Sequence, residues 1–235
     1  MLEIKNLTKI YGGTFKAVDG LNLTVNGGEI YGFIGHNGAG KSTTIKAVVG
    51  ALGFEDGDII IDGKSIKDDP IACKKVMAYI PDNPDIYEHL TGIQYLNFIA
   101  DIYSVGKERN ERIKKYAAIF ELEQALGDLI SSYSHGMRQK LVIISALIHT
   151  PKLLIMDEPF VGLDPIASHE LKTIMREICD LGGAIFFSTH VLEVAEKLCD
   201  RVGIIKNGKL VKEGDTKEIV GDASLESLFL EIANE

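Results

Sequence analysis

Short apolar runs separated by polar and glycine-rich turns characterise the first 60 residues. Leu21, Leu23 and Val25 alternate with polar neighbours, a pattern typical of a strand with one buried face. Residues 30–34 form a short apolar run that ends at a glycine, as expected for a strand buried on both faces. A third run, residues 59–61, precedes an Asp-Gly turn. The pattern predicts a strand-rich first part of the chain.

Helical periodicity replaces this pattern between residues 84 and 124. Apolar side chains recur there at spacings of three and four residues, which is typical of helices that bury one side. These positions are Ile93, Leu96, Phe98, Ile99, Ile102, Tyr103, Ile113, Tyr116, Ile119 and Phe120. We therefore predict a helical subdomain, inserted at approximately residues 83–130 between two strand-rich parts.

The second half of the chain alternates between helical segments and short apolar runs. A helix is predicted to follow residues 35–42, from 43 to 49. Further helices are predicted over residues 135–149, 165–181 and 191–198, and strands over 153–156, 184–187, 202–205 and 210–211. The Asn207-Gly208 pair predicts a hairpin between the last two strands. A short amphipathic helix is predicted over residues 224–232, within a short helical C-terminal tail of approximately residues 215–235.

Strands that alternate with helices indicate an α/β protein with a mainly parallel sheet covered on both faces. An N-terminal antiparallel β subdomain and the inserted helices are expected to be attached to this core. All 235 residues are predicted to form one domain. In folds of this type, ligands bind beyond the carboxyl ends of the strands.

A glycine-rich segment lies between the predicted strand 30–34 and the helix that follows. Residues 35–42 read Gly-His-Asn-Gly-Ala-Gly-Lys-Ser and match the phosphate-loop pattern G-x-x-x-x-G-K-S. Glycines let backbone N–H groups approach a polyphosphate, and the helix N-terminus adds a partial positive charge. Lys41 would reach the β- and γ-phosphates, and Ser42 would offer its hydroxyl to Mg²⁺. The alternative is a glycine-rich turn without a ligand. The predicted nucleotide-binding residues here are Gly35, Asn37, Gly38, Ala39, Gly40, Lys41, Ser42 and Thr43.

Two further apolar strands lead into ionisable side chains. Residues 153–156 are followed by Asp157, which would face Mg²⁺, and by Glu158, which could polarise a water molecule aimed at the γ-phosphate. Residues 184–187 lead to His190, which could donate a hydrogen bond to the γ-phosphate or to that water molecule. Each feature alone is also typical of an ordinary strand end. Their expected convergence beside the phosphate loop favours a catalytic site.

Charge and composition restrict the partners. The formal charge of −9 argues against nucleic-acid binding, which usually requires an excess of Lys and Arg. Cys73, Cys179 and Cys199 have no metal-ligand spacing and indicate reduced thiols in a cytosolic protein. The start of the chain has no signal-peptide pattern, and no apolar run approaches the roughly 18 residues needed to span a bilayer. Any membrane role is therefore expected to require a partner.

Five motifs in order along the chain resemble those of the nucleotide-binding domain of ABC transporters. They are the phosphate loop, residues 134–139 (Ser-His-Gly-Met-Arg-Gln), residues 153–158, residues 162–164 (Gly-Leu-Asp) and His190. The resemblance covers nearly the whole chain. It implies an ATP-hydrolysing subunit, with ATP and Mg²⁺ as ligands, that powers transport by a membrane permease. It also implies a cytoplasmic location at the inner face of the membrane, through that permease.

The resemblance implies a role for each matching position in the site. Tyr11 stands where the family stacks an aromatic residue on adenine, although an ordinary strand aromatic is the alternative. Lys41 belongs to the catalytic set with Glu158 as the base and His190 as the switch histidine. Asp157 resembles the aspartate that supports Mg²⁺.

The resemblance also implies a second nucleotide-binding subunit, either another copy or a close relative. Ser134 and Gly136 lie in the segment that resembles the signature loop, which caps the ATP held by the opposite subunit. A helix that begins just after Ser134 offers free N–H groups to a phosphate. Asp164 resembles the residue that crosses between subunits. The expected working unit is a head-to-tail dimer that encloses two ATP molecules.

Two departures from the family pattern affect this interpretation. The usual signature Leu-Ser-Gly-Gly-Gln is replaced by Tyr-Ser-His-Gly-Met, so that His135 stands for the first glycine and Met137 for the glutamine. Backbone donation remains possible, whereas contacts of the glutamine amide are lost. Asp82 stands where the family has a glutamine and could face Mg²⁺ or the attacking water as a carboxylate. These features and the C-terminal helix resemble bacterial exporters of the Ecs and bacitracin type.

Other classes of function compete with this interpretation. A soluble ABC ATPase that acts on ribosomes or nucleic acid usually has two cassettes or a long insertion, and this chain has neither. A P-loop kinase and a nucleotide-binding scaffold without turnover are further alternatives.

The inserted helices are expected to face the permease. Ordinary helix packing is the alternative explanation for their aromatic residues. The candidate contacts are Tyr87, His89, Tyr95 and Tyr103.

Overall fold

The computed structural model describes residues 1–221 and 223–234, which form two β-sheets and the helices packed on them. The strands are β1 (Leu2–Tyr11), β2 (Phe15–Val25), β3 (Ile30–Ile34), β4 (Asp56–Ile61), β5 (Lys64–Ser65), β6 (Met77–Ile80), β7 (Leu153–Asp157), β8 (Ala184–Thr189), β9 (Arg201–Lys206) and β10 (Lys209–Asp215). The helices are α1 (Lys41–Val48), α2 (Pro70–Val76), α3 (Gly92–Ile102), α4 (Arg109–Ile119), α5 (His135–Leu147), α6 (Pro165–Asp180), α7 (Leu192–Leu198), α8 (Thr216–Val220) and α9 (Leu225–Asn234).

The first sheet is antiparallel and has the strand order β2-β1-β4-β5. Its strand β2 carries the alternation read from the sequence: Leu21, Leu23 and Val25 are buried, whereas Asn22 and Thr24 are exposed. The alternation arises because successive side chains of a strand point to opposite faces. The predicted N-terminal antiparallel sheet is confirmed.

The second sheet has the order β10-β9-β3-β8-β7-β6, and all neighbours except β10 and β9 are parallel. The β9–β10 hairpin turns at Asn207 and Gly208, whose φ values of 51° and 78° suit a tight two-residue turn. The predicted mainly parallel α/β core is therefore confirmed, together with its terminal hairpin.

Two apolar layers cover the second sheet, and β3 contributes to both. Ile30 and Ile34 belong to the layer that includes α5 and α6, whereas Tyr31 and Phe33 belong to the layer shared with α1 and the first sheet. All five residues of β3 are buried, which explains its short apolar run. This double burial fixes the end of β3, from which the glycine-rich loop begins.

The inserted segment contains α3 and α4, both of which contact α5. Helix α3 begins with a capping box, in which the Thr91 hydroxyl accepts from the Gln94 N–H and the Gln94 side chain accepts from the Thr91 N–H. Both helices lie within the predicted range 83–130. None of the helices in the described part of the chain combines the length and apolar character that crossing a bilayer requires.

Helix α2 was not predicted, and the separate short helix α8 was covered only by the expectation of a helical tail over approximately residues 215–235. Helix α2 begins after Asp69, whose carboxylate accepts from the Ala72 N–H, and Pro70 occupies its first turn. Helix α8 begins after Asp215, which accepts from the Lys217 N–H. Both carry the capping signals of real helices, but they are too short for a clear apolar period. Of the predicted tail, Asp222 and Glu235 lie outside the described residues.

A half-buried histidine joins the inserted helices to the core. Tyr103, at the end of α3, stacks on His149, just beyond α5, with ring centroids 3.7 Å apart and ring planes 3° apart. Burial lowers the pKa of His149 from 6.5 to about 4. The folded protein therefore holds His149 neutral at neutral pH, since a half-buried imidazolium would lose part of its hydration.

We expect this histidine to make the protein less stable as the pH falls. Between pH 6.5 and about 4, the unfolded His149 binds a proton that the folded one does not. The free energy of unfolding should therefore decrease by about 2 kcal/mol between pH 7 and pH 5 through this residue alone. Urea unfolding at both pH values should show a smaller decrease for His149→Gln. His169→Gln, at an exposed position of α6, should keep the original pH dependence; equal decreases in all three proteins would contradict the prediction.

Candidate functional site

The glycine-rich loop connects β3 to α1 in a conformation that its glycines make possible. Gly38 and Gly40 have φ values of 82° and 113°, which favour glycine. A Cβ atom at Gly40 would lie 2.5 Å from the Ala17 carbonyl oxygen, and one at Gly35 would lie 2.7 Å from the Ile205 carbonyl oxygen. The expected reason for glycine, close approach of a ligand, is therefore incomplete, because the chain's own backbone already excludes side chains at these two positions.

The loop presents backbone donors at the start of α1. The N–H groups of Gly38, Gly40, Lys41 and Ser42 have no hydrogen-bond acceptor among residues 1–221 and 223–234. Since buried or half-buried N–H groups are normally paired, such a row is suited to an anion. The loop and helix therefore form a cradle that fits the phosphates of a nucleotide.

The Lys41 side chain crosses back over this loop. It is 6% exposed, and its Nζ donates to the Gly35 carbonyl oxygen at 2.7 Å. The same Nζ lies 3.6 Å from Glu158 Oε1. The contact brings the phosphate loop and the end of β7 together, as the sequence pattern predicted for Lys41 and Glu158.

An open cleft of about 320 Å³ extends from the cradle towards the first sheet. The residues that line it are Tyr11, Phe15, Ala17, His36, Asn37, Gly38, Gly40, Lys41, Ser42, Thr43, Asp82 and Glu158. Of the predicted loop residues, Gly35 and the fully buried Ala39 support the cleft without lining it.

Two aromatic side chains lie at the rim of this cleft. Tyr11 and Phe15 are exposed and face each other as partners across the turn between β1 and β2. The family resemblance implied Tyr11, whereas Phe15 was not predicted. A hairpin prediction at Gly12 and Gly13 would have paired the two positions, because a tight turn fixes the register of its strands.

Glu158 connects the cleft to the end of β8. Its N–H donates to the Ser188 hydroxyl at 3.1 Å, and its backbone has a φ of 49°. The carboxylate oxygen Oε2 lies 2.9 Å from His190 Nδ1 and accepts from the His190 N–H at 3.3 Å. Lys41, Glu158 and His190 are thus in one continuous set of contacts. A positive φ outside glycine is strained and occurs most often where the side chain must point in a required direction.

Asp157 is the neighbouring buried carboxylate. It is 3% exposed, and the Ser188 hydroxyl donates to its Oδ1 at 2.5 Å. Within the described residues, Asp157 forms no ion pair with Lys, Arg or His. A buried carboxylate without a countercharge is costly, so a cation at this position would be favourable. The carboxylate and the Ser42 hydroxyl are oxygen ligands of the kind that Mg²⁺ prefers.

Asp82 follows β6 and lines the same cleft. Burial raises the pKa of the Asp82 carboxyl, and the charges of Asp157 and Glu158 raise it further. The pKa of Tyr79 is raised to about 12 by burial and by Asp157 and Asp82. Asp82 and Glu158 both line the cleft, so a cation bound there would reduce the repulsion between their carboxylates.

Asp82→Asn should raise the Mg²⁺ concentration required for half-maximal ATPase activity. Removing an acidic neighbour weakens the attraction for the cation, and loss of an outer ligand typically weakens a metal site about 10-fold or more. The measurement is the ATPase rate over a Mg²⁺ titration at saturating ATP. Asp85→Asn, three residues away and outside the lining of the cleft, serves as the control. An unchanged Mg²⁺ requirement in Asp82→Asn would remove Asp82 from the site.

Ser134, Gly136 and Asp164 cap or begin two helices and are not among the residues that line this cleft. The Ser134 hydroxyl caps α5 by accepting from the Met137 N–H at 3.2 Å. Asp164 caps α6 by accepting from the Ala167 N–H, which together with Lys140 lowers the pKa of the Asp164 carboxyl. Within one chain these three residues therefore do not contribute to the surface of the cleft around Lys41.

The cradle, the carboxylates and the sheet order define a phosphate-binding ATPase of the cassette type. The chain belongs to the ABC transporter family, whose sequence model matches residues 18–161. It is an ATP-binding, ATP-hydrolysing subunit of that family. The family assignment does not favour the alternative of an ATPase that acts on ribosomes or nucleic acid.

Two relatives and one solved structure support this assignment. The chain is 36% identical to the ABC-type transporter ATP-binding protein EcsA of Bacillus subtilis, over all of this chain and 97% of the relative. It is 38% identical to the bacitracin transport ATP-binding protein BcrA of Bacillus licheniformis, over 91% of this chain and 69% of the relative. A structure of the ATP-binding subunit of an ABC transporter superposes with a TM-score of 0.94 and 37% identity, covering 99% of each chain. The predicted family and its Ecs and bacitracin subgroup are confirmed.

Proposed function

We propose that this chain powers export through a separate membrane permease by closing and reopening a dimer around ATP. The observation that supports this most directly is the set of contacts from Lys41 through Glu158 to His190 beside unpaired loop N–H groups. This set offers phosphate binding and proton transfer in one place. Family membership makes transport the process that ATP hydrolysis serves.

Binding of ATP uses the cradle and the aromatic rim. The N–H groups of Gly38, Gly40 and Ser42 donate to phosphate oxygens, and Lys41 contacts the terminal phosphates. Asn37, Ala39 and Thr43 shape the loop around them. Tyr11 stacks on the adenine, with Phe15 opposite it on the neighbouring strand. Gly35 serves by allowing the loop to pack on Ile205.

Hydrolysis relies on the carboxylates at the strand ends. Ser42, Asp157 and Asp82 would hold Mg²⁺, which supplies charge neutralisation at the terminal phosphates. Glu158 accepts a proton from the attacking water, and the strained backbone at Glu158 holds that carboxylate beside Lys41. His190 Nδ1 contacts Glu158 and orients it. The other ring nitrogen has no partner among the described residues and would contact the terminal phosphate.

A second subunit completes the site. Ser134 and Gly136 offer the N-terminus of α5, whose free N–H groups and positive end suit a phosphate. These residues do not line their own chain's cleft, and they would cap the ATP of the opposite subunit in a head-to-tail dimer. The terminal phosphate then bridges two subunits, and its removal weakens the dimer.

Complementation between two inactive variants tests this arrangement. Lys41→Ala damages the cradle and Ser134→Arg blocks the capping loop, so each variant alone should have little ATPase activity. A 1:1 mixture contains mixed dimers with one complete site, and about a quarter of the original activity should return. Activity that stays at the level of the single variants would contradict the head-to-tail arrangement.

The permease is proposed to bind the inserted helices at the cytoplasmic face of the membrane. EcsA and BcrA, by their names, are the ATP-binding proteins of transporters, one of them for bacitracin. This likeness supports export for the present chain. Tyr87 is exposed on the inserted segment and suits a contact, whereas Tyr95 is buried and Tyr103 stacks on His149. His89 lies beside Tyr87.

Reconstitution tests the transport role. The chain is co-purified from detergent-solubilised membranes, and the membrane protein that accompanies it is placed with it in proteoliposomes. ATP hydrolysis should increase when both are present, and Tyr87→Ala should reduce that increase while the ATPase activity of the free subunit stays the same. Co-purification with ribosomes instead of a membrane protein would support the rejected alternative.

A further inference from the structure

His135, the residue that replaces a glycine of the usual signature, packs on a second loop of the same chain. Its imidazole lies against Gly162, between β7 and α6. A Cβ atom at Gly162 would be 2.6 Å from His135 Cδ2 and 2.9 Å from His135 Nε2. His135 and Gly162 are both exposed, and a methyl group at position 162 would displace the imidazole from its present position.

Two further contacts hold the same pair of segments together. A Cβ atom at Gly136 would lie 2.9 Å from the Gly162 carbonyl oxygen, so these backbones are also in close contact. Lys140, on the next turn of α5, forms an ion pair with Asp164 at 2.6 Å. The start of α5 therefore contacts both Gly162 and the cap of α6.

The segment that His135 contacts is short and leads directly to Glu158. It contains two tight turns, closed by bonds from the Val161 N–H to the Glu158 carbonyl at 3.1 Å and from the Leu163 N–H to the Phe160 carbonyl at 3.4 Å. Glu158 lies four residues before Gly162. Because this segment is short and held by two turns, it cannot easily absorb a shift of Gly162. Such a shift would move the backbone of Glu158, which has a φ of 49°.

We propose that His135 is a positioning residue that couples the start of α5 to Glu158 of the same subunit. The inference rests on the proposed function, in which the start of α5 caps the ATP of the opposite subunit. Binding of ATP in one site then shifts α5, and the His135–Gly162 contact transmits that shift to the carboxylate of the other site. A glycine at position 135, as in the usual signature, has no side chain to make this contact.

Coupling of this kind makes ATP hydrolysis cooperative, because ATP bound in one site positions the Glu158 carboxylate of the other site. The original protein should show a Hill coefficient close to 2 for two coupled sites. His135→Gly should lower the Hill coefficient to about 1 and kcat by about 3- to 10-fold, since coupling energies of this kind are modest. His135→Phe, which keeps a planar ring over Gly162, should retain the cooperativity.

A glycine pair provides the steric control. Gly162→Ala places a methyl group against the imidazole at a φ of 80°, whereas Gly182→Ala places one at a φ of 85° with no atom within 4 Å. Gly182→Ala measures only the effect of placing a non-glycine residue at a positive φ. It should leave kcat and the Hill coefficient unchanged. Gly162→Ala should lower both, and the double variant His135→Gly with Gly162→Ala should recover kcat relative to Gly162→Ala, because the clash is gone. Thermal melting confirms that each variant is folded.

The outcomes separate this inference from the proposed function. If the original protein neither hydrolyses ATP nor dimerises with it, the proposed function fails. If the original protein hydrolyses ATP cooperatively and His135→Gly keeps the same Hill coefficient, only the coupling role of His135 fails. Equal losses in His135→Phe and His135→Gly would likewise overturn it, since the ring contact would then be irrelevant.

Discussion

Glu158→Gln should lower ATP turnover by about 10²–10⁴-fold while ATP still binds. The glutamine side chain has nearly the same shape, but its amide cannot accept the proton of the attacking water. The cradle is unaffected, because Lys41 keeps its bond to the Gly35 carbonyl oxygen. The terminal phosphate then persists between the subunits, and the dimer should outlast that of the original protein. Steady-state ATPase assays and gel filtration with ATP measure the two effects.

The control for this variant is a glutamate away from the cleft. Glu193 is exposed on α7, where it pairs with Lys197, and Glu193→Gln makes the same chemical change there. It should leave both turnover and the dimer lifetime as they are. Near-normal turnover in Glu158→Gln would exclude Glu158 as the base, and a loss of ATP binding would indicate that its role is in binding instead.

Lys41→Ala should weaken ATP binding itself. A buried ammonium group that contacts phosphate is worth about 2–4 kcal/mol, which corresponds to roughly a 30- to 1000-fold increase in Kd. The loss arises because the phosphates keep their negative charge while the nearest fixed cation is removed. Titration with a fluorescent ATP analogue gives the Kd directly, before any catalytic step.

Lys46, on the same helix α1, provides the comparison for Lys41. It is exposed and lies in the last turn, so Lys46→Ala changes the charge of the helix without touching the loop. Its Kd for ATP should match that of the original protein. Similar affinities for Lys41→Ala and Lys46→Ala would show that the loop does not bind phosphate as proposed.

The elements around the site could be predicted because each carries its own local signal. The apolar runs of β3 and β7 are buried on both faces, and α5 and α6 begin with Ser134 and Asp164 as side-chain caps. Parallel strands then place their carboxyl ends at one edge, which is why Glu158 and His190 could be predicted to meet.

Other features depend on contacts between distant parts of the chain and could not be predicted. Phe15 reaches the cleft through the register of a hairpin. The Gly35 and Gly40 positions depend on carbonyl groups of Ile205 and Ala17, which are far away in sequence. The packing of His135 on Gly162 likewise requires two loops to be adjacent. Periodicity reports which face of an element is buried, but it does not report what that face touches.

The tight packing of the glycine loop on Ala17 and Ile205 has a consequence for the energetics of the transport cycle. The loop backbone lies so close to these two carbonyl groups that a Cβ atom at Gly40 or Gly35 would be only 2.5 or 2.7 Å from their oxygens. The shape of the loop is therefore determined during folding. Nucleotide capture then requires little loss of chain entropy, because the receptor is already organised. More of the free energy released by phosphate contacts thus remains available for the mechanical work of drawing two subunits together.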